Sequence, residues 1–192
     1  MGTSLAAFLR HHGRARLLAT AVAVLCLAGT ASARDLTDAE STMLNSAVEM
    51  YDKAMEGKDV PILVKAIPPR IIKQMAEHDK ASEDDIRKAL GDLIGQTLEA
   101  LPVHSFTMDM AKAEHGHVAD GTPYLLIPTE TVMTTGGEGK TLMRTATLAM
   151  LDGDLWYMVR GSDAQQVAAL REAYPEYETV VFPDATMELV KE

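Results

Sequence analysis

The spacing of apolar residues changes near His104 from a helical period to a strand period, and this change restricts the fold more than any other feature. Before it, apolar residues recur every three to four positions in three segments, as in amphipathic helices. After it, Phe106, Met108 and Met110 lie at every second position, as in a half-buried strand. The order of these patterns predicts an α+β fold, with N-terminal helices packed on an antiparallel sheet.

Capping residues and prolines indicate where the helices begin and end. Thr37 and Glu40 form a capping box, in which each side chain satisfies the other residue's backbone donor. Ser82 begins the last of the three helical patterns. Pro68 and Pro69 divide the second pattern into two helices, because proline is tolerated in the first turn of a helix and not in its interior.

Three turn signals divide the second half of the chain into a meander of about four antiparallel strands. "DG" at Asp120–Gly121 and at Asp152–Gly153 is typical of tight hairpins, and "GG" at Gly136–Gly137 predicts a looser turn. Ser162 and Gln165 form a second capping box, which predicts a helix after the last of these strands. The tail beyond that helix predicts an edge strand and a helical turn.

Tight turns set the register of a hairpin, and the register assigns each side chain to one face of the sheet. With the second turn centred between its two glycines, Thr129 lies opposite Arg144. The predicted core face then holds Phe106, Met108, Met110, Leu125, Ile127, Met133, Leu142, Leu148, Met150, Leu155, Tyr157 and Val159. The predicted outer face holds Asp109, His115, His117, Tyr124, Glu130, Thr145, Thr147, Trp156 and Arg160.

Residues 1–33 have the parts of a secretory signal peptide. A basic region with three arginines and no acidic residue precedes the apolar run Leu17–Leu27, and the small residues Ala31–Ala33 suit a signal peptidase. The apolar run is too short for a transmembrane anchor. We therefore predict cleavage after Ala33, a periplasmic or secreted location, and a single α+β domain over residues 34–192.

Cleavage would also change the composition of the chain. It would remove Cys26, the single cysteine, so the mature domain would have no disulfide. It would leave 15 basic residues against 28 acidic ones, a net charge of −13. A strongly acidic domain is a poor candidate for binding nucleic acid or an anionic membrane, because both are repelled by it.

The order of helices and sheet, together with "DGDLWYMV" in the last meander strand, resembles the NTF2-like (cystatin-like) cone fold. The resemblance extends over about residues 36–172. It implies a pocket between the helices and a curved sheet, and pairing of two copies through the outer face of the sheet. Known members include isomerases, dehydratases and non-catalytic ligand-binding or accessory modules. The resemblance assigns no catalytic residue to this sequence.

Arg144 is the candidate for chemistry in such a pocket. In the predicted register it lies on the core face, with Thr129 opposite and Tyr157 on the same face, and these three form the predicted ligand-binding set. A buried guanidinium needs a partner. We expect an ion pair with a helix acid such as Glu49 or Glu77; the alternative is an anion bound at the pocket mouth.

Two further groups lie on the predicted outer face. Trp156, Met158 and Tyr124 form an apolar and aromatic cluster, which predicts a homodimer interface. His115 and His117 point the same way on one strand, but zinc or copper needs a third ligand, and no good one is near on that face. We expect a solvated hairpin end there, with no structural metal and no cofactor.

These features predict an exported, non-catalytic protein that binds a small anionic or apolar ligand, or assists another protein, through a pocket between helices and sheet. A cofactorless lyase or isomerase that uses the same pocket is one alternative. A structural dimer that acts through the outer face of the sheet is another. An acid or histidine near Arg144 inside a deep pocket would favour the enzyme.

Overall fold

The computed structural model describes residues 34–135 and 139–190. The predicted signal peptide and the Gly136–Gly137 turn lie outside the described residues. Within the described part of the chain, no helix is both long and apolar enough to cross a membrane.

In the described part of the chain, four α-helices precede the first strand of the sheet and a fifth lies between its fifth and sixth strands. They are α1 (Asp38–Gly57), α2 (Val60–Lys65), α3 (Pro69–Asp79), α4 (Glu83–Ala100) and α5 (Ala164–Ala173). The predicted capping box of Thr37 and Glu40 is present at the start of α1. Ser82 forms a second box with Asp85 at the start of α4. Pro69 lies in the first turn of α3, which explains why the second helical pattern continues as a new helix there.

The sheet is antiparallel and has a long central hairpin. Its strands are β1 (Val103–Met108), β2 (Glu114–His117), β3 (Pro123–Thr134), β4 (Lys140–Asp152), β5 (Leu155–Arg160) and β6 (Thr186–Leu189). β1 and β2 both pair with β3, while β5 and β6 both pair with β4. A 3₁₀ turn at Met110–Lys112 divides the predicted first strand into β1 and β2. The α+β prediction is confirmed, with six strands in a curled sheet where about four were predicted.

The central hairpin pairs one residue away from the predicted register. Thr129 lies opposite Thr145, and Arg144 lies opposite Glu130. Thr134 pairs with Lys140, so an odd number of residues connects the strands, whereas a turn centred between two glycines needs an even number. A one-residue shift moves the side chains of one strand to the other face. The predicted core face therefore mixes residues that lie on opposite faces.

Apolar side chains cover both faces of the sheet, whereas one outer face was predicted. One face, which includes Ile127, packs on α1, α2 and α4. The opposite face, which includes Leu148, packs on α5 and the segment after it. This second cluster consists of Ile71, Val118, Leu126, Leu148, Met150, Val159, Leu170, Tyr174, Tyr177 and Val180. The helix after the tryptophan strand therefore covers the face that the cone resemblance leaves for pairing.

The predicted exposure of Trp156 and Met158 is wrong. Both lie on the face that packs on α1, where they are 7% and 4% exposed. The indole Nε1 of Trp156 donates a hydrogen bond of 3.1 Å to the backbone oxygen of Glu40. Tyr124 lies on the other face, with its ring 5.9 Å from that of Tyr177. These three residues form no common exposed cluster. Self-association of the chain stays a prediction, but these residues do not supply its interface.

Candidate functional site

The predicted ligand-binding residues are not brought together. Arg144 is at the surface, where its Nε lies 2.8 Å from a carboxylate oxygen of Glu130 and its Nη1 lies 2.8 Å from one of Glu188. The register shift puts it on a stretch of β4 that pairs with β6 and away from the helix acids that were expected as partners. Thr129 is buried and hydrogen-bonded within the sheet. Tyr157 lies on the α5 face, opposite to that of Thr129.

The glycine between the two histidines of β2 makes room for an aromatic ring. Gly116 lies opposite Tyr124, and a Cβ at Gly116 would collide with the Tyr124 ring. His117 Nε2 lies 2.8 Å from the backbone oxygen of Arg34. Among the described residues, no three histidine, cysteine, aspartate or glutamate side chains are grouped so that they could hold a metal ion. The packing therefore explains Gly116, while His115 and His117 lie opposite Leu125 and Pro123, on the other face from Tyr124, so the predicted common face of the histidines and Tyr124 is wrong.

Two adjoining cavities form one cleft between α4 and the β5–α5 segment. Their volumes are about 150 Å³ and 240 Å³. They share the lining residues Ile67, Leu93, Ile94, Met158, Asp163 and Gln166. We call this opening the apolar cleft, because most of the side chains that line it are aliphatic or methionine. It lies between the helices and the sheet.

The packing of α2 on α4 determines which side of α4 faces the cleft. An ideal Cβ at Gly91 would lie 3.6 Å from Val60 and from Val64, so α2 lies directly on the glycine side of α4. Gly95 faces Val60 in the same way, at 3.9 Å. The neighbouring Leu93 lines the cleft and is 59% exposed. The helix α4 thus buries its glycine side against α2 and leaves a large apolar side chain at the mouth of the cleft.

A hydrogen-bonded polar group lies at the β5–α5 end of the cleft. Asp163 is the N-cap of α5 and accepts hydrogen bonds from the backbone nitrogens of Gln165 and Gln166, at 2.9 Å and 3.1 Å. The helix therefore begins one residue later than the predicted Ser162 box. The Gln166 side chain accepts from the Arg160 backbone nitrogen at 3.2 Å and donates to the Asp163 carboxylate at 3.0 Å. The only acid that lines the cleft, within the described chain, is thus occupied as a cap.

Arg160 supplies the positive charge of the cleft. No carboxylate oxygen lies within 4.0 Å of its guanidinium among residues 34–135 and 139–190. Burial raises the pKa of the neighbouring Tyr51 hydroxyl, and the charge of Arg160 lowers it by a smaller amount. The phenol therefore stays neutral near pH 7. The cleft combines apolar walls with one guanidinium that lacks an ion-pair partner in the described chain.

The sequence interpretation missed the residues of this cleft. The predicted register places Arg160 on the outer face, and the predicted ligand-binding set does not include it. Its position at the end of the apolar strand "LWYMV", three residues before the cap of α5, is a usable signal. Leu93 had no such signal, because its exposure depends on the contact between α2 and α4.

No family model, curated protein or solved structure matches the chain. The family resemblance therefore stays a prediction, and the chemistry of the cleft is the basis for a function.

Proposed function

We propose that this protein is an exported, non-catalytic binding protein that takes a small apolar molecule with an anionic end into the apolar cleft. The observation that carries the proposal is the open apolar space between helices and sheet, next to an arginine without an ion-pair partner in the described chain. The signal-peptide pattern of residues 1–33 supports export. This ligand class is the small anionic or apolar ligand that the sequence predicts. The residues proposed to bind it line the apolar cleft and differ from the predicted set.

The size of the cleft limits the ligand. Pockets for drug-sized ligands measure about 300–1,000 Å³, whereas an apolar cavity of about 150 Å³ accommodates benzene. The two cavities, of about 150 Å³ and 240 Å³, therefore suit a short aliphatic chain or a single ring with a substituent. A ligand of this kind gains binding free energy by covering Leu93, since burial of apolar surface contributes about 25 cal/mol per Å². A carboxylate on the ligand would pair with Arg160.

The residues around the cleft support binding over catalysis. A lyase or isomerase needs a positioned general acid or base. No histidine lines the cleft within the described chain, and the carboxylate of Asp163 accepts its hydrogen bonds from the start of α5. The third alternative, a structural dimer through an outer face, has lost the residues that predicted it, since Trp156 and Met158 are buried.

Octanoate and octanol form a matched pair of probes, since both have the same chain length and only octanoate is charged. We expect both to bind in calorimetric titrations. Leu93→Ser should weaken both by about tenfold, because it removes apolar surface at the mouth. Arg160→Gln should weaken octanoate by about fivefold and leave octanol unchanged, because only octanoate uses the charge.

Leu155→Ser is the matched control for Leu93→Ser, because Leu155 is also 59% exposed but does not line the cleft. It should leave both affinities unchanged. Equal losses in the two serine variants would mean that the probes bind exposed apolar surface in general, and would contradict the assignment. The intact mass of the protein isolated from its native host tests the export part, since it should correspond to a chain that begins at Arg34.

A further inference from the structure

A second cleft shares no lining residue with the apolar cleft, has a volume of about 310 Å³ and is strongly acidic. We propose that this acidic cleft binds a small organic cation that carries a primary ammonium or guanidinium group. Its carboxylates come from Glu40, Asp120, Asp152, Asp154 and Glu176, and its two arginines are Arg34 and Arg70. The proposal is independent of the apolar ligand.

Three of the five carboxylates form ion pairs within the cleft, with two arginines as their partners. Arg34 Nη1 donates to Glu40 at 2.7 Å, and this bond is the largest cause of a Glu40 pKa lowered to about 2. The guanidinium of Arg70 lies 2.8 Å from a carboxylate oxygen of Glu176 and 3.4 Å from one of Asp152. Both arginines are therefore engaged by acids of the cleft wall.

Asp120 and Asp154 form no direct ion pair within the described residues, although the charge of Arg70 contributes to lowering the pKa of Asp120. No lysine, arginine or histidine nitrogen lies within 4.0 Å of either carboxylate in the described part of the chain. The backbone N–H of Thr122 donates to Asp120 at 2.8 Å, and bonds with Thr122 lower the pKa of Asp120. Asp120 is therefore ionised at neutral pH. Asp154 follows Gly153 in the turn between β4 and β5, where the glycine has a φ of +62°.

The hydroxyl of Tyr177 is a further polar group at the acidic cleft that lacks a partner in the described chain. Tyr177 is 1% exposed and lines the acidic cleft, yet its hydroxyl has no hydrogen-bond partner among the described residues. A buried polar group of this kind is unfavourable unless something pairs with it. Burial and the charges of Glu176, Asp120 and Asp152 raise the pKa of Tyr177, so the group is a neutral phenol.

The neighbouring tyrosine shows what a satisfied hydroxyl looks like in this region. The Tyr174 hydroxyl donates to Asp152 at 2.8 Å and accepts from the backbone nitrogen of Arg70 at 3.1 Å. The Tyr177 oxygen has free lone pairs, and the negative charges of Glu176, Asp120 and Asp152 act on it. A ligand N–H would satisfy that oxygen while its positive charge interacts with Asp120 and Asp154.

The spacing of the acids favours an organic cation over a metal ion. Calcium takes six to eight oxygen ligands in one coordination shell. Within residues 34–135 and 139–190, no three acidic or histidine side chains are grouped closely enough to hold a metal ion. An ammonium group has three separate donors and needs no such shell. The volume of about 310 Å³ also leaves room for several non-hydrogen atoms beyond a single ion.

The test is calorimetric titration of the purified protein with 1,4-diaminobutane at about 0.15 M salt, which screens diffuse attraction to the acidic surface. The neutral analogue 1,4-butanediol is the ligand control. We expect saturable binding of the diamine alone. Asp154→Asn and Tyr177→Phe should each weaken it by about tenfold, because each removes one polar partner of the cation. Asp184→Asn, an exposed acid outside the cleft, should leave it unchanged.

Tyr177→Phe removes only an unpaired hydroxyl, so its melting temperature should equal or exceed that of the wild type, and loss of binding then has no folding explanation. Absence of diamine binding to the wild type overturns the proposal. An equal loss in Asp184→Asn overturns it as well, because the attraction would then be diffuse. Binding of calcium chloride that depends on Asp154, without diamine binding, would replace it by a metal site. None of these variants should change octanoate binding, because the two clefts share no lining residue. Titrations with the diamine and with octanoate therefore test the two proposals separately.

Discussion

Replacement of Trp156 by lysine is expected to unfold the protein. Trp156 is 7% exposed and lies on the sheet face that packs on α1. Its indole donates a hydrogen bond of 3.1 Å to the backbone oxygen of Glu40. Truncation of a buried tryptophan costs about 3–5 kcal/mol, and lysine would add a charge without a partner. A domain of this size is stable by only about 5–15 kcal/mol. Urea unfolding followed by far-ultraviolet circular dichroism measures the effect.

Leu155→Lys is the matched control, because Leu155 is the adjacent residue on β5 and is 59% exposed. It should change the free energy of unfolding by less than about 0.5 kcal/mol. The prediction for Trp156 fails if its lysine variant unfolds at the wild-type urea concentration and differs only in sedimentation. That result would place the indole on an exposed face and would restore the predicted dimer interface.

Leu148→Ala is expected to have the second large effect, a loss of about 2–5 kcal/mol in the free energy of unfolding. Leu148 is 0% exposed and belongs to the cluster formed with α5. Its cross-strand neighbours Leu126 and Val159 belong to the same buried cluster, so the surrounding residues have little freedom to fill the space. Chemical unfolding of the purified variant gives the value directly.

A double-mutant cycle with Ile127→Val tests why the loss occurs. Ile127 is also 0% exposed but lies on the opposite face of the sheet, so the two substitutions should add to within about 0.5 kcal/mol. In the register predicted from the turns, both residues share one face and lie on adjacent strands. They would then couple by about 0.5–3 kcal/mol. A coupling in that range would contradict two separate cores.

The interactions that lie close together along the chain were predictable. The capping box of Thr37 and Glu40, the start of α4 after Ser82, and the change of period near Phe106 each depend on residues within a few positions of one another. The α+β class follows from the order of these local patterns. Sequence reasoning therefore identified the helices and the strand block, with α5 displaced by one residue.

The assignment of sheet faces was not predictable, because it depends on whether an odd or an even number of residues connects β3 and β4. Thr134 pairs with Lys140, and this single shift puts Arg144 at the surface beside Glu130 and moves Trp156 to the core face. A turn motif in the sequence does not determine that number. Coverage of the second face by α5 is a further tertiary contact that no local pattern encodes.

Both clefts belong to the part that only the tertiary structure decided. In the apolar cleft, Leu93 of α4, whose glycine side packs on α2, lines the same cavity as Arg160 at the end of a distant strand. The acidic cleft combines side chains from five segments, from Arg34 to Tyr177. The residues that line both clefts can be read from the sequence, but their arrangement in space cannot. Their chemistry arises from long-range contacts, because charge compensation, burial and unpaired hydroxyls are properties of neighbours in space.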